Sequence, residues 1–114
     1  DRDMGAKANI IIDQGADFST SITVSDTDGN IIDLTGYTGR GQIRKHYTSS
    51  TSTDFTITFG SPRTDGKVAL ALSNVQTANI AAGRYVYDAE IVSASSIVSR
   101  LVEGIVTITP EVTR

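Results

Sequence analysis

Short runs that alternate apolar with hydroxyl side chains recur along this chain, set apart by turn residues at intervals of about eight to twelve positions. No stretch keeps a helical period for as much as about three turns. Together these observations predict an all-β fold, an antiparallel sandwich of about seven or eight short strands.

Each element follows from local pattern. Residues 8–13 hold an apolar run, Ile10, Ile11 and Ile12, ended by Gln14-Gly15-Ala16-Asp17. In residues 18–25, Phe18, Thr20, Ile22 and Val24 face one way and Ser19, Ser21, Thr23 and Ser25 the other, as in a half-buried strand. Asp26-Thr27-Asp28-Gly29-Asn30 then separates two apolar runs, and an Asp-Gly pair in that position signals a tight hairpin. The glycines Gly36, Gly39 and Gly41 dilute the following strand, which is expected over residues 42–46 with Ile43 inward and Arg44 exposed. Residues 49–53 read as a hydroxyl-rich loop. Phe55, Ile57 and Phe59 mark one further strand, and Val68, Leu70 and Leu72 another. Ser73 is placed to cap an apolar helical turn running from Val75 to Ile80. A last hairpin loop at residues 93–96 leads into a strand over residues 97–108, with Gly104 expected as a bulge.

Gly83 and Tyr85 are the most telling pair. A glycine just after a helical turn, two residues before a tyrosine that opens a strand, matches the tyrosine corner of Greek-key sandwiches. In that corner the phenol hydroxyl bonds upstream backbone while the ring covers the end of the core. Tyr87, Ala89 and Ile91 then continue inward, with Arg84, Val86, Asp88 and Glu90 outward. The sandwich is therefore expected to be immunoglobulin-like, with Gly83 and Tyr85 as its structural corner.

At 114 residues the chain has room for one domain. We expect an N-terminal arm at residues 1–7, the sandwich at residues 8–109 and a C-terminal tail at residues 110–114. A hydrophobic share of 39% supports a modest core. The net charge of -3 argues against nucleic-acid binding. Without cysteine there is neither a disulfide nor a thiolate metal site. Apolar runs are too short to span a membrane, and Asp1-Arg2-Asp3 begins nothing like a signal peptide.

Motifs that imply chemistry have simpler explanations. The one histidine, His46, lies beside Lys45 and Tyr47 at a strand end, and no serine sits in a nucleophile elbow. Asp26, Asp28 and Asn30 alternate as in a calcium loop, but Gly29 comes too early and no helices flank it, so hairpin chemistry accounts for them. Asp88 and Glu90 read as a solvated strand face paired with Arg84, Arg100 or Lys67 rather than a carboxylate pair for catalysis. Gly36, Gly39 and Gly41 precede no helix and make no phosphate cradle. No enzyme, no cofactor, no metal and no catalytic residue is expected. Arg40, Arg44, Lys45 and Tyr47 form the densest charge-plus-aromatic group and are the expected partner contacts.

Four phrases taken together carry a family resemblance: Gln14-Gly15-Ala16-Asp17-Phe18; Asp28-Gly29-Asn30 with Ile32-Asp33-Leu34-Thr35-Gly36-Tyr37; Gly83-Arg84-Tyr85-Val86-Tyr87-Asp88; and Glu103-Gly104-Ile105-Val106-Thr107-Ile108. Their order resembles small virion structural proteins of tailed bacteriophages, in particular the immunoglobulin-like N-terminal module of phage baseplate upper proteins. The resemblance covers residues 8–109. It implies a non-enzymatic assembly adaptor in the tail, baseplate or neck, acting through contacts with other virion structural proteins. Multiple copies in a symmetric assembly, built in the host cytoplasm into the virion, are implied too. Baseplate upper proteins continue into a long portion that carries receptor-binding proteins. This sequence stops at Arg114, so a free-standing adaptor in the tail, neck or head is as much an expectation as a receptor scaffold. The rival expectations are a capsid decoration protein that clamps shell subunits, and a carbohydrate- or cell-surface-binding module using Tyr37 or Tyr47.

Overall fold

The computed structural model describes residues 2–111. Among the described residues nine strands build two sheets: β1 Arg2–Lys7, β2 Ile10–Asp13, β3 Phe18–Thr23, β4 Thr38–Arg44, β5 Thr53–Asp54, β6 Thr56–Phe59, β7 Lys67–Leu72, β8 Gly83–Val92 and β9 Val98–Thr109. One sheet runs β1-β9-β8-β4-β5 with β2 also on β9, and the other runs β3-β7-β6. The fold is an all-β sandwich. Its strand order is the immunoglobulin one, β3-β7-β6 standing as B-E-D and β4-β8-β9 as C-F-G.

The sandwich departs from the expected antiparallel design at its first strand. β1 and β2 both run parallel to β9, along Ser99 to Glu103 and Val106 to Thr109 respectively. Residues 2–7, expected as an arm outside the sandwich, are therefore a sheet strand, and the first strand lies on β9 rather than beside β3. Of the expected tail, Glu111 donates its amide to Gln14 Oε1 at 3.2 Å. Residue 1 and residues 112–114 of the expected arm and tail lie outside the described residues.

The core fills from both sheets: Leu70 and Leu72 on β7 face Tyr87, Ala89 and Ile91 on β8 and Val106 and Ile108 on β9, with Leu34 sealed among them. Three aromatic rings link the layers. Phe55 meets Tyr87 edge-on at 6.0 Å and Phe18 at 6.5 Å. Phe55 is also where the chain changes sheets. Thr53–Asp54 pairs with β4 and Thr56–Phe59 with β7, so Thr53, expected in the loop, is strand, and the strand expected from Phe55 joins its sheet only at Thr56. The Phe55 amide donates to the Gly41 carbonyl at 2.9 Å at the crossing.

β4 begins at Thr38, earlier than expected, because its inward residues are small. A methyl group on Gly39 would lie 2.6 Å from Ile57, and one on Gly41 would crowd the Asp88 carbonyl and Phe55 at 3.1 and 3.2 Å. The space that side chains normally take on the inner face of a strand is occupied here by the 53–59 crossover. The Asp-Gly hairpin forms, reduced to one bridge between Ser25 and Ile31, with Asp26 Oδ1 accepting from the amides of Asp28 and Asn30. Ser73 and Gln76 make a full capping box on the helix Asn74–Ala78. That helix buries Thr77, whose hydroxyl donates to the Ala16 carbonyl at 2.8 Å, and leaves Val75 exposed. The bulge in β9 falls at Leu101, between the Ala89–Val102 and Glu90–Arg100 pairs, and not at Gly104.

Two tyrosines of β8 tie backbone outside the strand to the sheet. Tyr85 donates its hydroxyl to the Ala81 carbonyl at 2.7 Å, and Gly83 stands between them with φ +145°. Tyr87, 2% exposed, donates to the Ala8 carbonyl at 2.8 Å. Gly104 is the β9 residue opposite Tyr87, and a methyl group there would sit 2.0 Å from that same carbonyl oxygen. Gly104 is thus the gap through which the edge strand meets the Tyr87 hydroxyl. Burial holds the Tyr87 pKa above the ordinary 10.0, so the phenol stays a donor at any ordinary pH.

Tyr87→Phe leaves the Ala8 carbonyl without this partner and is expected to cost about 1–2 kcal/mol of unfolding free energy in urea titration. Gly104→Ala forces backbone apart and is expected to cost at least as much, about 1–3 kcal/mol or more. Wild-type stability in either variant would refute this account of the edge strand.

Candidate functional site

The outward residues of β4, β8 and β9 form one charged face. Register sets Arg40 opposite Glu90, Gln42 opposite Asp88 and Arg44 opposite Val86, and on the far side Glu90 opposite Arg100 and Asp88 opposite Glu103. The Leu101 bulge is what lets Arg100 and Glu103 share this face, since in a regular strand residues three apart point to opposite sides.

Opposite charges interlock across it. Arg40 Nε meets Glu90 Oε1 at 2.9 Å; Arg100 approaches Glu90 at 3.8 Å, Glu103 at 3.3 Å and Asp88 at 4.0 Å. Lys7 reaches Glu103 at 4.0 Å. Gln42 donates to Asp54 Oδ1 at 3.0 Å and accepts from Arg44, whose other nitrogen donates to the Ser49 carbonyl at 2.6 Å. Exposed pairs of this kind add little stability each, but they hold flat the long side chains that surround a shallow cleft.

That cleft, of about 240 Å³, is lined by Arg40, Gln42, Arg44 and Tyr47 on one side and Val86, Asp88 and Glu90 on the other. Tyr47 stands 67% exposed at its rim. Of the four expected contact residues, Arg40, Arg44 and Tyr47 meet here. Lys45 does not. β4 ends at Arg44, and Lys45 turns to the other side, where its Nζ lies 4.8 Å from the Tyr85 ring centre and donates to the Arg84 carbonyl at 3.1 Å. Asp88 and Glu90 pair with Arg100 and Arg40, while Lys67 belongs to the other sheet.

Gln42, Val86 and Asp88 were missed as cleft residues. The alternation of β8 puts Val86 and Asp88 outward and that of β4 does the same for Gln42; what no local pattern gives is the β4–β8 register that sets them side by side. Tyr37 precedes β4 while Tyr47 follows it, so the two tyrosines lie at opposite ends of the strand and share no platform. His46 is exposed in the turn after β4, its amide donating to Ser49 Oγ at 3.0 Å. Among the described residues no group of three His, Asp or Glu is gathered to hold a metal.

Chemically the cleft offers guanidinium donors, an exposed phenol and two carboxylates in near balance. Compared with protein-family models and with curated proteins, the chain matches none.

Asp88 is the strained member of the charged face. Its pKa lies above the ordinary 3.8, first because burial disfavours the charge and then through repulsion from Glu90, which Arg100 partly offsets. The folded chain therefore holds this proton more tightly than the unfolded chain does. Ionised Asp88 lowers stability at neutral pH, and the penalty fades as pH falls through the raised value toward 3.8. Asp88→Asn is expected to melt higher than the parent at about pH 7, with the gap closing as pH falls through the raised value toward 3.8. A variant that melts lower at neutral pH would show that the Arg100 contact outweighs the burial.

Proposed function

We propose that this chain is a non-enzymatic structural protein of a tailed-bacteriophage virion, an assembly adaptor of the tail, baseplate or neck that works through protein–protein contacts. The observation that carries the reading is the outer face of β4, β8 and β9. It is a broad sheet surface of ordered Arg and acidic side chains with an exposed Tyr47 at the edge of a shallow cleft. Arg and Tyr are the residues that anchor protein interfaces. At about 240 Å³ the cleft is smaller than the roughly 300–1,000 Å³ usual for small-molecule pockets and suits a single protruding side chain better.

The phrases behind the phage resemblance support the same reading from another side. Asp33 accepts from both the amide and the hydroxyl of Thr35 to form the Asp-Leu-Thr-Gly turn, and Gly83, Tyr85, Tyr87 and Gly104 make the two tyrosine anchors. What resembles the phage modules is thus the scaffold, and the charged face is what it presents. In this reading the partners are other virion structural proteins, met in several copies during assembly in the host cytoplasm.

Cryo-electron microscopy of purified host particles tests this, with density for a sandwich of this size expected in the tail, baseplate or neck. Density spread over the shell would make the chain a decoration protein, and absence from every particle would overturn the virion reading. With Arg44→Glu or Tyr47→Ala, incorporation is expected to fall by at least about tenfold in affinity, the loss of one interface anchor. Normal incorporation of both would move the contact away from this face.

A further inference from the structure

With the first strand paired to β9, β3 is left as an open edge of its three-stranded sheet. The direction of its free groups follows from two hydrogen bonds. The Val24 amide donates to the Gly66 carbonyl at 2.7 Å, continuing the β3–β7 register, so the even-numbered residues of β3 point their backbone groups at β7. On the other side of β7, the Gly60 amide donates to Lys67, so the odd-numbered residues of β7 serve β6, as the alternation requires. Ser19, Ser21 and Thr23 therefore aim their N–H and C=O groups away from the sheet.

Other edges are guarded. β5 has two residues, and β2 and β6 have four each; β1 has a register break and ends at Lys7. β3 has six residues, Phe18-Ser19-Thr20-Ser21-Ile22-Thr23, with no charge, no proline and no bulge. Such an edge is a template for another strand.

We propose that β3 pairs with β3 of a second copy of this chain, antiparallel about a two-fold axis at Thr20. The sequence is self-complementary in that register. Thr20 faces Thr20 at the axis, Phe18 faces Ile22, and Ser19 faces Ser21, all combinations that favour sheet pairing. Ser19 and Ser21 are the residues with free backbone groups, and there each exchanges both of its bonds with its opposite number. Phe18 and Ile22 are only partly buried on the core face, and the second copy extends the cover over them. With no charge on the strand, self-pairing meets no like-charge repulsion. Two three-stranded sheets become one continuous sheet of six, by an isologous contact that closes on itself. This inference stands on strand geometry and does not depend on the virion reading.

Sedimentation equilibrium of the purified chain, from about 1 μM to about 1 mM, tests it. A concentration-dependent rise from 12.1 kDa toward twice that mass is expected. The double variant Ser19→Lys with Ser21→Lys sets like charges opposite each other and is expected to weaken the dimer by about tenfold or more. Ser19→Lys with Ser21→Glu sets lysine opposite glutamate only in this register and is expected to restore it. Both positions are exposed, so melting curves like the parent's show that the variants are folded. A monomer across the whole range overturns the proposal. So does a dimer indifferent to the paired lysines, or a lysine–glutamate variant as weak as the lysine pair.

Discussion

A phenol hydroxyl inside an apolar core must find an acceptor, and where Tyr87 finds it sets much of this molecule's layout. Tyr87 sits in the middle of β8 with both neighbouring strands in place, so its hydroxyl has to reach past β9 for a partner. It does so over Gly104, to the Ala8 carbonyl. The junction of β1 and β2 is held at the same point by two more bonds, from the Ala8 amide to the Glu103 carbonyl and from the Ile105 amide to Asn9 Oδ1. The first strand is thereby committed to the β9 side and runs parallel to it. In the commoner immunoglobulin layout that strand would sit beside β3. This hydrogen bond acts with the ladders of β1 and β2 on β9, so that the β9 edge is covered and β3 is left open.

The two faces of β8 divide the labour. Inward, Tyr85, Tyr87, Ala89 and Ile91 build the corner and the core; outward, Val86, Asp88 and Glu90 form the floor of the charged face. The face depends on a defect in the neighbouring strand as well. Without the Leu101 bulge, Arg100 and Glu103 would point to opposite sides, and Arg100 could not sit among three carboxylates. Burial, and after it repulsion from Glu90, raises the Asp88 pKa there. The crowding also leaves Arg100 Nε buried without a hydrogen bond, the nearest carboxylate oxygen standing 4.0 Å away. An ordered, interlocked surface comes here at some cost in internal comfort.

Much of this architecture was legible where side chains alternate. β3, β7 and β8 could be read directly, as could the Asp-Gly hairpin and the Ser73 cap, because each rests on contacts within a few residues. Illegible parts share one physical cause: the deciding contact lies far along the chain. Gly39 and Gly41 looked like a lapse in pattern, yet they are the inner face of β4, small because Phe55 and Ile57 cross there. The 53–59 run alternates without interruption, and nothing local marks Phe55 as the point where it changes sheets. Gly104 had the look of a bulge residue, but its role is to admit a carbonyl from nearly the other end of the chain.

The candidate site shows the same limit for charge. Arg40, Arg44 and Lys45 stand close in sequence and suggest a basic patch. Folded, Arg40 is bound to Glu90, Arg44 to Gln42 and Ser49, and Lys45 has turned to Tyr85. Density of charge along a chain is not density of charge on a surface, because a sheet brings in partners about fifty residues away at a spacing of about 5 Å. What a folded surface offers to another molecule is what its own groups have not already satisfied. On this molecule that criterion selects the ring of Tyr47 on one sheet and the outward backbone of Ser19, Ser21 and Thr23 on the other. Tyr47 stands in the charge-plus-aromatic group that the sequence shows, whereas the free backbone of β3 follows only from which strand lies beside which.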